Sequence, residues 1–350
     1  MITFFISPIG LGHATRDVAI CDQISSIIEE EILIITGKPA ADIFSTYGYK
    51  VLDLYATHNF DVNRSMELAS IKRWVLNYIF FYKKCKSIAR EVMESNEDCK
   101  IVSDEDFASI AVGEKKSKKR ILITDILETH FLNGTFSFLE TRMNKSLHNM
   151  IKGCDRVIVP DYGDDKDNLL YVGPIVRNLS ITNRDALRKR FEMDKPTIVV
   201  TIGGTAAGKY LIEMLIKAFK NLLGKRDMQL IVASGPSLRV TETGNTNIRN
   251  VGFVSNVHEF IYAADLVVSL AGRSTIDESI VYGTPGIFIP IRNHFEQEQN
   301  AKRLGYRYDD IFKLESLIEE KMRETTDKRN ILQNGAGPAA KAIIETLKES

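Results

Sequence analysis

The sequence lacks several features that mark specialised classes of protein. Its four cysteines form no CxxC pair and have no neighbouring histidine cluster, which argues against a zinc site or a disulfide framework. It has no run of about 18 apolar residues and no basic segment before the first apolar run, so we expect neither a membrane-spanning helix nor a signal peptide. Lys plus Arg and Asp plus Glu both number 46, so no net charge attracts nucleic acid. We expect a cytoplasmic protein without a nucleic-acid partner.

What is present is an alternation of short apolar runs with longer helical patterns. One series of such units starts at residues 2–7 and a second at residues 197–202. This alternation predicts two α/β domains, each a doubly wound parallel sheet, and 350 residues exceed what one core usually serves. A Gly-Pro pair within residues 171–177 indicates the hinge. We predict domains at 1–175 and 176–335, and a helix within 336–350 that could pack back on the first domain.

A glycine-rich segment follows the first strand. Residues 7–17 read Ser-Pro-Ile-Gly-Leu-Gly-His-Ala-Thr-Arg-Asp, and the glycines, Gly10 and Gly12, predict a tight turn before a helix that starts near Thr15. Thr15 replaces the third glycine of a dinucleotide fingerprint. His13 would then lie at the carboxyl end of the strand, where an imidazole can act as a general base. A capping histidine without chemistry is the alternative.

A second glycine-rich segment, residues 203–210, matches the Walker phosphate-binding motif at all but its last position. Tyr210 stands where that motif needs the Ser or Thr that binds Mg²⁺. We interpret the segment as a glycine-rich turn that brings backbone amides near a pyrophosphate without a metal. An ATPase loop and a purely structural turn are the alternatives.

The longest informative segment runs from Gly272 to Ala301. Gly272 follows a buried strand, Ser274 or Thr275 is predicted to cap the next helix, and Glu278 lies one turn inside it. Such a helix start suits phosphate oxygens, and a carboxylate beyond it can accept two ribose hydroxyls. A further helix opens with polar side chains able to bind a sugar. Capping explains each piece alone but not their combined order.

This order of residues resembles the GT-B glycosyltransferases, above all glycosyltransferase family 28, which includes the MurG-type enzymes. The likeness to UDP-glucuronosyl and plant UDP-glucosyl transferases is looser. The principal motif is matched by Gly272, Ser274, Thr275, Glu278, Gly283, Pro285, Glu296, Gln297, Asn300 and Ala301. Weaker matches in the same order are Gly10, Gly12 and His13, then Gly203, Gly204 and Thr205, then Phe253 and Val254.

The resemblance implies a fold and a set of roles. The fold is two Rossmann-like domains that face a central cleft. The implied reaction is inverting transfer of a hexose, N-acetylglucosamine being favoured, from a UDP-sugar co-substrate without a metal or other cofactor. The implied donor contacts are Glu278 on the ribose; Thr205, Ser274 and Thr275 on the pyrophosphate; Glu296 and Gln297 on the hexose; Val254 on the base; and Gly12, Gly204, Phe253 and Gly272 around them. Arg273 could replace a phosphate-binding histidine that plant members carry.

The implied base is His13, with Asp104 orienting it or acting as the base itself. Glu105 and Asp106 stand next to Asp104, so the choice among the three carboxylates stays open. A UDP-sugar epimerase and a non-catalytic nucleotide-sugar-binding subunit are the alternative functions.

The sequence gives less information about the acceptor than about the donor. Residues 72–86 contain the only tryptophan, four other aromatic residues and basic residues at both ends. This pattern is typical of a helix that lies in a membrane interface, or of a core helix with solvated ends. The likeness to MurG-type enzymes favours the first interpretation, with a lipid-linked saccharide or a lipid as acceptor and a peripheral site on the cytoplasmic face of the membrane.

Overall fold

The computed structural model describes residues 1–58, 60–96, 98–116, 118–129, 137–203, 206–235, 244–324 and 331–348. The chain folds as two compact units. The first contains Met1–Asn59, Ser70–Val176 and Asn334–Ser350, and the second contains Phe60–Ala69 and Arg177–Gln333.

Each unit is built on one parallel sheet, as the alternating sequence predicted. The strands are β1 (Ile2–Ile6), β2 (Ile32–Thr36), β3 (Lys50–Asp53), β4 (Lys100–Asp104), β5 (Arg120–Ile123), β6 (Arg156–Val159), β7 (Leu169–Tyr171), β8 (Thr197–Thr201), β9 (Gln229–Ala233), β10 (Ile248–Asn250), β11 (Leu266–Leu270) and β12 (Gly286–Ile289). The strand orders are β3-β2-β1-β4-β5-β6-β7 and β10-β9-β8-β11-β12. The central strands are fully buried because helices cover both faces of such sheets.

Helices follow most strands. They are α1 (Gly12–Ile27), α2 (Ala40–Thr46), α3 (Ile71–Ser95), α4 (Phe107–Lys115), α5 (Ser137–Lys152), α6 (Arg184–Arg190), α7 (Lys209–Leu223), α8 (Val257–Ala263), α9 (Arg273–Tyr282), α10 (Phe295–Arg303), α11 (Leu314–Glu324) and α12 (Ala336–Lys348). Among the described residues, no helix combines the length and the apolar character needed to cross a bilayer.

The C-terminal helix α12 belongs to the first unit, where it packs on α1. Its contact face is rich in small side chains, including Ala339 and Ala340, which are fully buried with Ile343. Small residues let the two backbones approach closely, so the two ends of the chain share one core.

One segment lies outside its predicted domain. Residues 60–69, here called the crossover segment, fall within the predicted first domain but belong to the second unit. Met66 is 0% exposed in the core of that unit. The Leu68 N–H donates to the Arg292 carbonyl (2.9 Å), and the Arg292 N–H donates to the Met66 carbonyl (3.0 Å). The Arg292 guanidinium also lies 4.0 Å from the ring centroid of Tyr308. These contacts are between residues distant in sequence, so the local pattern did not reveal them.

Because Met66 fills part of the second core, we expect Met66→Ala to lower the free energy of unfolding by about 2–5 kcal/mol. Urea denaturation measures the loss, and hydrogen exchange should locate it in the second unit. Met143→Ala is the matched control, since Met143 is exposed on α5. If both variants lower the unfolding free energy by the same small amount, the crossover segment is not part of that core.

Candidate active site

His13 lies in the first turn of α1, because this helix begins at Gly12 and not near Thr15 as predicted. Gly10 has φ +80°, a backbone conformation that glycine adopts without strain, and it turns the chain from β1 into the helix. The Thr15 hydroxyl donates to the Gly12 carbonyl at 2.9 Å. The imidazole is therefore fixed at the carboxyl edge of the first sheet.

The Nδ1 of His13 is 2.9 Å from Oδ1 of Asp104. Asp104 is the last residue of β4, which pairs with β1, and its side chain is fully buried. The His13 side chain is 17% exposed. With Nδ1–H donating to the carboxylate, the other ring nitrogen, Nε2, is the one that can accept a proton from a substrate.

The three neighbouring carboxylates have different partners. Asp106 is the N-cap of α4, where it accepts from the Ala108 N–H, and it also accepts from the Tyr55 hydroxyl at 2.7 Å. Oε2 of Glu105 is 3.6 Å from Nε2 of His13. The structure thus brings Asp104 and Glu105 to the histidine and gives Asp106 a different, structural set of contacts.

Arg16 joins this cluster, although the sequence assigned it no role. Its Nε donates to Oδ2 of Asp104 at 2.9 Å, and its Nη2 donates to Oδ1 at 2.5 Å. The signal was the spacing: residues three apart share one face of a helix, and α1 already includes His13.

Among the described residues, His13, Asp104 and Glu105 have ligand-type atoms within 4.8 Å of one another, close enough to share an ion. The guanidinium of Arg16 already binds both oxygens of Asp104, so the positive charge that this carboxylate needs comes from the protein itself.

The electrostatic consequences are opposite for the two main partners. Burial alone would raise the pKa of Asp104, but Arg16 and His13 outweigh it and lower this pKa to about 2. Burial alone would lower the pKa of His13, but Asp104 and Glu105 outweigh it and raise this pKa to about 9. The imidazole is therefore mostly protonated at neutral pH and gains basic form as the pH rises.

In the second unit, α9 begins directly after β11. Its N-cap is Gly272, so the prediction that Ser274 or Thr275 caps the helix is wrong, and both lie in its first turn. Gly272 has no side chain to bind the N–H groups of that turn, and the space where a Cβ would stand is open. A helix start of this kind suits an anionic oxygen. Arg273 donates from Nε to Oδ1 of Asp277 at 2.8 Å.

Glu278, on the second turn of α9, is buried against Arg177. Nη2 of Arg177 donates to Oε1 of Glu278 at 3.0 Å, and its Nη1 donates to the Ser255 carbonyl at 2.5 Å. The Tyr282 hydroxyl donates to the Arg177 carbonyl at 2.6 Å. Burial raises the pKa of Glu278, although Arg177 opposes this. Arg177 thus ties the loop after β10 to the carboxylate of α9, a role that nothing in its local sequence indicated.

The loop after β10 also contains Phe253 and Val254. They follow a turn at Gly252, which has φ +67°, and Phe253 is exposed. Gly204 and Thr205 lie outside the described residues.

The proposed hexose contacts stand at the start of α10, which follows β12. Oε1 of Gln297 accepts the Ile291 N–H at 3.1 Å, so this amide also closes the turn before the helix. Glu296 is in the first turn. Since β11 and β12 are neighbours in the sheet, α9 and α10 both start at its carboxyl edge. The structure therefore brings Glu278 and Gln297 to one edge of the second unit.

Arg177→Met should leave the Glu278 carboxylate buried without this counter-ion, and we expect a loss of about 3–5 kcal/mol in unfolding free energy. The loss should shrink as the pH falls, because a carboxyl group whose pKa is raised on folding becomes neutral first in the native state. Urea denaturation at several pH values measures this. Lys341→Met is the control: its pair with Glu345 is exposed, so we expect less than about 1 kcal/mol. The assigned ion pair is contradicted if Arg177→Met lowers the unfolding free energy no more than Lys341→Met does and by the same amount at every pH.

The chain is similar to known glycosyltransferases in sequence and in fold. Residues 197–345 match the glycosyltransferase family 28 C-terminal domain. An uncharacterised glycosyltransferase of Methanopyrus kandleri is 25% identical over 85% of this chain and 85% of its own length. A UDP-N-acetylglucosamine–N-acetylmuramyl-(pentapeptide) pyrophosphoryl-undecaprenol N-acetylglucosamine transferase of Caldicellulosiruptor saccharolyticus is 22% identical, with 97% and 90% covered.

The crystal structure of the kitacinnamycin glycosyltransferase superposes with a TM-score of 0.65 at 13% identity, covering 99% of this chain and 98% of that one, which shows a shared fold. The predicted fold class and enzyme class are confirmed: the chain is a glycosyltransferase of the GT-B fold, and its C-terminal half is of the family 28 type.

Proposed function

We propose that the protein transfers a hexose from a UDP-sugar to a hydroxyl acceptor, with inversion and without a metal or other cofactor. The proposal rests on the chemistry found at the carboxyl edges of the two sheets. The edge of the first sheet has a histidine–carboxylate pair, and the edge of the second sheet has a glycine-capped helix start with a buried glutamate. The first is suited to take a proton, the second to bind a nucleoside diphosphate.

The donor half of the proposal rests on α9. The N–H groups of its first turn receive the pyrophosphate and stabilise the charge that develops on the leaving UDP. Oε1 of Glu278 is held by Arg177, and the ribose hydroxyls donate to this carboxylate. The loop of Phe253 and Val254 receives the base. N-acetylglucosamine is the favoured hexose, because the Caldicellulosiruptor relative is named for its transfer.

The base in this proposal is His13. As Nε2 takes the proton of the acceptor hydroxyl, the acceptor oxygen bonds to the anomeric carbon and the bond to UDP breaks with its electron pair. Asp104 stabilises the imidazolium that forms. Since the pKa of His13 is about 9, kcat/KM should rise with pH up to that region.

The acceptor in this proposal is a lipid-linked saccharide or a lipid, bound by a peripheral enzyme on the cytoplasmic face of the membrane. Support comes from α3, whose first half exposes Leu76, Ile79 and Phe80, the last to 72%. Residues 71–90 contain six basic and no acidic residues. An apolar patch flanked by positive charge binds anionic membrane surfaces. The same relative is named for a substrate carried on undecaprenol.

The donor assignment predicts discrimination at the ribose. A carboxylate that accepts the 2′-hydroxyl should make UDP bind about tenfold or more tightly than 2′-deoxy-UDP, since hydrogen bonds to charged groups contribute about 1.5–3 kcal/mol. Glu278→Gln should reduce that ratio, measured by ligand-induced thermal shifts and calorimetry. Glu213→Gln, an exposed change in the same unit, should keep it. Equal affinities for the two nucleotides in the wild-type protein would contradict the ribose contact.

The same preparation separates the competing functions. Incubation with a UDP-hexose alone should leave the sugar unchanged, and addition of a lipid-linked acceptor should release UDP. Epimerised sugar without any acceptor would instead indicate an epimerase. UDP binding without turnover on any acceptor would indicate a binding subunit.

The acceptor assignment predicts membrane binding through α3. Phe80→Ser should weaken co-sedimentation with anionic vesicles about tenfold at low salt, because it removes about 1.5–3 kcal/mol of apolar burial. Phe312→Ser is the control, with an equally large and 60% exposed side chain in the second unit. The prediction fails if the wild-type protein stays in the supernatant, or if both variants behave alike.

A further inference from the structure

The charges around His13 extend beyond the carboxylate that orients it. Arg16, one turn further along α1, binds both oxygens of Asp104, and its Nη2 is 3.1 Å from Nδ1 of His13. A planar guanidinium forms two such bonds at once, so it fixes the plane of the carboxylate as well as its position. Oδ1 of Asp104 therefore has two neighbouring partners, Nδ1 of His13 and Nη2 of Arg16.

Glu105 approaches the imidazole from its other nitrogen. Its backbone has φ +51°, a conformation that non-glycine residues rarely adopt, and its N–H donates to the Ile123 carbonyl at 3.2 Å. Oε1 accepts from the Thr124 hydroxyl at 3.1 Å, while Oε2 lies 3.6 Å from Nε2 of His13. Backbone of this kind persists where the surrounding structure over-determines it, often at functional sites.

We propose that Arg16 and Glu105 are positioning residues that hold His13 between a fixed cation and a fixed carboxylate, with Nε2 as the nitrogen that meets the acceptor hydroxyl. The proposal rests on the proposed function of His13 as base. It gives Arg16 a role that the sequence motif did not indicate, and it gives Glu105 a role distinct from that of Asp104.

The two residues act on the imidazole in opposite directions. Burial has the largest effect on the pKa of His13 and lowers it. Asp104 and Glu105 raise this pKa, and Arg16 lowers it. The negative charge of Glu105 near Nε2 favours the protonated imidazole, and the positive charge of Arg16 near Nδ1 disfavours it. The balance leaves a base that can release its own proton and then accept one from the substrate.

The remaining ionisable groups nearby act indirectly. Asp17, also on α1, is buried, and burial together with Asp104 raises its pKa well above the usual range, which favours its neutral form. Burial and Asp125, which follows β5, raise the pKa of Glu105. His13 opposes this rise in the pKa of Glu105, and Glu105 in turn raises the pKa of His13, so a change at one should move the other.

The test is a pair of variants with opposite expected results. Glu105→Gln should move the rising limb of the kcat/KM–pH profile to lower pH, and Arg16→Gln should move it to higher pH, each by about one pH unit. Arg16→Lys keeps the charge and should return the midpoint toward that of the wild-type enzyme. A role in folding alone would lower activity at every pH and leave the midpoint in place.

A second readout is independent of turnover. Titration of the His13 ring by NMR, assigned by loss of its signals in His13→Gln, should show the same two opposite displacements. Unchanged or same-direction displacements in both variants would overturn the inference. If His13→Gln keeps full activity while the NMR displacements occur as expected, the proposed base is wrong and the electrostatic roles of Arg16 and Glu105 stand.

Discussion

The first unit depends on one constraint: the carboxylate of Asp104 is buried at the carboxyl end of β4 and must be neutralised there. Arg16 supplies the charge and His13 the third hydrogen bond. Both residues come from α1, so the start of this helix, its packing on β4 and the direction of the imidazole are linked. The same contacts that allow the carboxylate to be buried also orient the imidazole of His13, the proposed base.

The second unit meets a similar problem with different residues. Glu278 is buried on α9, and its counter-ion Arg177 is the residue at which the chain returns to the unit. Arg177 also binds the Ser255 carbonyl. The positions of the loop after β10 and of α9 are therefore coupled in the protein itself, and such pre-organisation would reduce the entropic cost of binding the proposed nucleotide.

The sequence predicted the two parallel sheets because buried parallel strands are short apolar runs, and the order of residues from Gly272 to Ala301 indicated the glycosyltransferase fold. It failed where long-range contacts decide. The partner of Glu278 lies 101 residues away in the chain, and Met66 gives no local sign that it fills a distant core. Helix propensity placed the start of α1 too late, since glycine is a poor helix former. Capping preference favoured Ser274 or Thr275, yet Gly272 takes that position.

The central claim is that donor binding and proton removal are carried by different residues on different units. The most direct measurement compares hexose transfer and UDP affinity in His13→Gln. The account predicts that transfer falls by about a hundredfold or more, as for loss of a general base, while UDP affinity is unchanged. The account is contradicted if His13→Gln transfers the hexose at the wild-type rate, or if it loses transfer activity and UDP affinity together.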